Sequence, residues 1–313
     1  MNLAQSFATA TAALGPIFAL ILLGQALRRA DFPGSAFWPP AERLAYYLLL
    51  PALLLKELAL ADLGGYAFAP LIAVIVVSQL LMTALAYALR PWLAADGAGF
   101  GSVYQGVIRL NTYVGLAATP ALFGRAGAPL AALALAIMVP LVNLLCVAVI
   151  THAQGRVAPW HLAAAVLRNP LIVACALGLV LNLGQLGLPW GSAGLLDILS
   201  RAALPLGLLT MGAGLRLTAV GGRAAAVGAA VALKLVGLPL LVWAGSAVAG
   251  LAPLERAVLT LFAALPGAPS AYVLARQMGG DAPLAAAIVT VQTAAAMLTL
   301  PLLALLLAPG LAR

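Results

Sequence analysis

Leu265-Pro266-Gly267-Ala268-Pro269-Ser270 stands inside an apolar run over 254–277, and its reading decides the fold. Two prolines three residues apart remove two backbone donors and clash with the carbonyls before them, so a helix entering this run must open there. Unwound backbone at membrane depth survives only where protein or a watery cavity satisfies its polar groups. A second run shares this character. Gln105-Gly-Val-Ile-Arg-Leu-Asn-Thr-Tyr-Val-Gly-Leu-Ala-Ala-Thr-Pro120 is too polar and too rich in Gly and Pro for an uninterrupted spanning helix.

The two runs occupy matching places in a sequence written twice. Pro16 pairs with Pro170, Pro51 with Pro205 and Pro129 with Pro283, each 154 residues on, and Gly24 meets Gly178 at the same offset. With 21 prolines in 313 residues, chance supplies fewer than one such match. Apolar runs of about 20 residues fall near 9–27, 42–60, 68–90, 100–124, 129–151, 166–185, 193–217, 222–250, 254–277 and 283–308. The expectation is an all-α integral membrane fold of ten transmembrane helices, five per repeat, with helices 4 and 9 broken. An odd number per repeat forces inverted topology, the plan of secondary transporters that bind substrate near the bilayer midplane. The first repeat is expected over 1–151, a linker over 152–165 and the second repeat over 166–313.

Composition excludes the water-soluble classes. Hydrophobic residues make up 65%, charged residues only 8%, and mean hydropathy is +1.12. The net charge of +8 sits in short loops between apolar runs, where it reports orientation and not nucleic acid. One set of loops holds nine basic residues, from Arg28 to Arg276, against four acidic ones; the other holds five against four. The positive-inside rule makes the first face cytoplasmic and leaves both termini outside. Residues 1–10 carry no Lys or Arg, so the first run is read as a retained helix and not a secretory signal. His152 and His161 fall in the linker region, and Cys146 and Cys175 lie in apolar runs as buried thiols. No disulfide, metal or cofactor is expected.

Half-helix N-termini at the breaks present free N–H groups and partial positive charge, which suits a carboxylate. Asn111 is the sharpest candidate, since an amide donates to an anion and accepts from a hydroxyl; capping a half-helix is its other reading. Arg109 and Lys234 lie about ten residues inside their runs, whereas all eight acidic residues sit at helix ends or in loops. The interior is thus read as net cationic and the cargo as an anion, with Arg109 open to snorkelling and Lys234 to holding carbonyls at a break. Asn143 and Gln292, in the fifth helix of each repeat, complete the polar set.

Arg109-Leu-Asn111-Thr112-Tyr-Val-Gly115 resembles the first crossing motif of the auxin efflux carrier family, and Ala263 to Gln277 is similar to its second. Lys234 followed by Pro239 resembles the family's eighth helix, and Asn169-Pro170 its sixth. One departure is Ala117 where the family often has proline, delayed here to Pro120. The resemblance implies a bile-acid-symporter-like elevator fold with helices 1, 2, 6 and 7 as scaffold and 3–5 and 8–10 as moving domain. It implies a homodimer in the bacterial inner membrane that exports a small carboxylate. Asn111 is implied as the carboxylate ligand, supported by Thr112, Gly115, Pro266, Gly267, Pro269 and Ser270. A sodium-coupled symporter and a non-transporting ligand sensor are the alternatives; an enzyme is not, because no catalytic motif is present.

Overall fold

The computed structural model describes residues 3–63, 66, 68–93, 96–154, 169–216 and 223–307. All its regular elements are helical. Helix α1 spans Leu3–Arg29. Helix α2 runs from Trp38–Leu44 through a π-turn at Ala45–Leu49 into Leu50–Ala59, and α3 spans Phe68–Ala88. The first expected break separates α4, Gly97–Ile108, from α5, Thr112–Phe123; α6 follows as Gly127–Ala153. Then come α7, Pro170–Leu183, and α8, Ser192–Ala213. Helix α9 passes from Ala224–Ala232 through a second π-turn, Leu233–Gly237, into Leu238–Val248. The other break parts α10, Pro253–Ala263, from α11, Ser270–Gln277, and α12 spans Ala282–Leu307.

Among the described residues six helices are long and apolar enough to cross a membrane, within α1, α3, α6, α8, α9 and α12. With apolar side chains such as Leu22, Val77, Leu183 and Leu306 facing outward, the chain is a multi-pass membrane protein. The expected linker lies outside the described residues except at its start, where His152 ends α6 beside Tyr87.

The 154-residue offset survives in the element bounds. Helix α2 begins at Trp38 and ends at Ala59, and α8 begins at Ser192 and ends at Ala213. Contacts follow the same offset. A Cβ on Gly24 of α1 would collide with the Leu209 backbone of α8, while one on Gly178 of α7 would stand 3.0 Å from the carbonyl of Leu55 in α2. Both pairings are backbone-to-backbone approaches that only glycine permits.

The two breaks have different causes. In the second, Pro266 and Pro269 withhold their donors over the segment between Ala263 and Ser270, as the sequence predicts. In the first, Pro120 is carried inside α5, and the chain opens earlier, at extended Arg109 (φ −69°, ψ 152°). Asn111 then caps α5, its Oδ1 accepting from Val114 N at 3.1 Å. Its own N–H donates to Pro266 O at 2.8 Å, so a carbonyl released by one break satisfies a donor released by the other.

Candidate functional site

The crossing point opens into a narrow cavity of about 70 Å³ lined on one side by α2, α7 and α8 and on the other by the two breaks and α6. Arg109, Asn111, Thr112, Tyr113, Asn143 and Ser270 are polar residues lining it from the crossing side; Glu42 and Tyr46 face them from α2. A wider space of about 470 Å³ continues from Arg109, Asn143 and Ser270 past Arg43 and Gln277.

Arg109 is buried and organises the site. Its Nη1 donates to Ser270 Oγ and its Nη2 to Asn143 Oδ1, each at 2.9 Å, tying both breaks to α6. Nε has no partner among the described residues. The Arg109 guanidinium places a cation at this end of the cavity. Snorkelling is therefore not its arrangement here, because its donors turn inward to protein.

Asn111 is fully buried, and among the described residues its Nδ2 has only the thioether of Met211, 2.8 Å away. Sulfur is a weak acceptor, which leaves an amide donor underused at the cavity wall. Thr112, Pro269 and Ser270 line the same wall.

Other residues of the predicted set stand behind that wall. Gly115 packs where a Cβ would lie 2.7 Å from Leu265 Cδ1, so it lets the two broken helices cross. Pro266 supplies the carbonyl for Asn111. Gly267 N–H donates to Gln292 Oε1 at 2.9 Å, and Gln292 Nε2 donates to Gly106 O at 2.9 Å and Ala230 O at 3.1 Å. One buried amide thus fastens the second break, the end of α4 and helix α9 together. Lys234 sits in the π-turn of α9, fully buried and away from the cavity lining, with no partner for Nζ among the described residues.

Glu42 corrects the expectation that no acidic side chain reaches the interior. Helix α2 starts at Trp38, with prolines filling its first positions, four residues before the apolar run. Glu42 therefore lies in a formed helix, and Glu42, Tyr46 and Leu50, spaced by four, share the face turned to the cavity. That spacing was the available signal. An isolated acid at the edge of an apolar run conceals it.

Broken helices that cross at a polar cavity inside an apolar bundle are the arrangement in which secondary transporters bind substrate. Residues 161–304 match the model of a family described as membrane transport protein. Over 292 residues, covering 91% of this chain and 94% of the relative, the chain is 28% identical to an uncharacterized transporter of Methanothermobacter thermautotrophicus. The chain is similar to these membrane transport proteins, and its crossing motifs resemble those of the auxin efflux carrier family.

Proposed function

We propose that this transporter carries small organic carboxylates, exporting them by elevator-type alternating access. The observation that carries the reading is the Asn111 amide, buried at the cavity wall with the Met211 sulfur as its one acceptor among the described residues, beside the Arg109 guanidinium. A carboxylate placed there accepts from Asn111 Nδ2 beside the Arg109 guanidinium, and a bond to a charged acceptor exceeds a neutral one in strength. Glu42 and Tyr46 bound the opposite wall.

The offset shared by α2 and α8, and the paired glycine contacts, support two inverted five-helix repeats. In this reading helices 1, 2, 6 and 7 are the static scaffold of a homodimer. Helices 3–5 and 8–10, bound together by Arg109 and Gln292, move as one body. Both termini lie outside the cytoplasm of a bacterial inner membrane.

Purified protein is screened against a carboxylate panel by thermal shift, and the best ligand is then followed into proteoliposomes. Asn111→Asp keeps the capping oxygen but opposes an anion; it is expected to lower flux at least about tenfold, the loss of a hydrogen bond to a charged group. Unchanged flux in Asn111→Asp would reduce Asn111 to a cap and sink the assignment.

A further inference from the structure

A second cavity, of about 480 Å³, opens beside the crossing between α1, α2 and the end of α8 on one side and α11 and α12 on the other. Three arginines line it from three separate elements: Arg28 from α1, Arg216 just after α8 and Arg276 from α11. None of them takes part in an ion pair among the described residues. Arg28 Nη1 is held by Ser35 O at 2.7 Å, and Arg216 lies over the Tyr272 ring at 5.2 Å. Glu42 is the single carboxylate of the lining, so the cavity carries three cations against one anion.

Trp38 makes this more than a charged rim. Its side chain lines the cavity and is only 7% exposed, yet indole Nε1 has no acceptor among the described residues. Indole N–H is a donor only, and a buried one without an acceptor is costly. Leu215, Val273, Ala286 and Val289 with the Tyr272 ring give the lining an apolar part, and Gln25 and Thr210 add neutral polar groups.

We infer that this cavity is a second anion site, adjoining the Asn111 pocket, with which it shares Glu42, Thr210 and Pro269. It takes an oxyanion group, a carboxylate, sulfonate or phosphate, on an apolar body. The oxyanion accepts from Trp38 Nε1 and is neutralised by Arg28 and Arg276, and the body lies against Tyr272 and Val289. The site spans the two groups of helices that the elevator reading moves apart. Its ligand is either a free organic anion or the headgroup of an anionic lipid, which share this chemistry.

The test uses full-length protein in a neutral detergent, with Trp92→Phe, Trp160→Phe, Trp190→Phe and Trp243→Phe leaving Trp38 as the sole indole. Quenching by iodide is compared with quenching by caesium at constant ionic strength. A cationic cavity is expected to favour iodide at least about threefold. Benzenesulfonate is expected to relieve the iodide quenching, and Arg28→Gln with Arg276→Gln to abolish the preference. Should that double variant fail to fold, Arg276→Gln alone is expected to lower it.

Equal quenching by the two ions would overturn the site. No relief by benzenesulfonate would overturn its ligand class, and a preference unaltered by the arginine variants would overturn their role. In phosphatidylcholine nanodiscs the preference is expected to persist. Its loss only on adding phosphatidylglycerol assigns the site to lipid, and its retention assigns it to free anions. None of these readouts requires transport or Asn111, so this site and the proposed carrier function fail separately.

Discussion

Gly212→Val is expected to prevent stable assembly of the helix bundle. Gly212 of α8 backs directly onto α1, where any Cβ would fall inside the Ile21 carbonyl. Three residues earlier on α8, the Leu209 backbone blocks Gly24 of α1 in the same way. A flexible side chain can swing away from an added methyl group, whereas two helix backbones can only separate. Separation also strips contacts from buried Leu14, Ile21, Leu208 and Met211. Overpacking ordinarily costs about 1–3 kcal/mol, and a backbone obstacle places Gly212→Val at or above the upper end. Gly228→Ala in α9 is the control, since nothing stands within 4 Å of its Cβ position. That change is expected to be neutral or to stabilise by up to about 1 kcal/mol, because alanine loses less entropy in a helix. Thermal midpoints in micelles compare the two. A midpoint for Gly212→Val equal to that of the unaltered protein would show that α1 and α8 do not pack as described.

Gln292→Leu removes the fastening of both breaks at once. The variant keeps approximate volume but deletes three hydrogen bonds, to Gly267 N, Gly106 O and Ala230 O. Each partner is an interrupted-backbone group: Gly106 lies at the end of α4, Gly267 in the second break and Ala230 beside the π-turn of α9. Away from water such groups find no substitute, and each orphan costs about 1–3 kcal/mol. The total expected loss is about 3 kcal/mol or more. Gln292→Glu is expected to be similarly damaging, since it preserves only the acceptor for Gly267 while burying a carboxylate. Hydrogen exchange provides a second readout: the Gly267 amide in the second break is expected to lose protection in Gln292→Leu before the amides of α12 do. Retained protection and an unshifted midpoint would remove Gln292 from this role.

The arrangement of polar groups explains why the two breaks were legible to different degrees. Pro266 and Pro269 act through their own rings, so the opening after Ala263 follows from the residues at that place. At the first break the position depends on Asn111, whose N–H bonds to Pro266 from the other half of the chain. The polarity of residues 105–120 announced an interruption, and Pro120 lies within α5, away from it. Glu42 escaped because its inward aim depends on where α2 begins and on which helices cover that face. Lys234 shows the opposite case: its depth was legible, but its separation from the cavity was not.

Apolar run lengths, the 154-residue echo and two proline-bearing interruptions were therefore determined by the sequence alone, since hydrophobicity and missing backbone donors act locally. Only the tertiary structure decided that Arg109 would join Ser270 to Asn143, that Asn111 would meet sulfur, and that Trp38 would line a basic cavity. Those partnerships join residues far apart in the chain. Which donors find acceptors is settled by how the helices pack, and residue order carries no direct record of that packing.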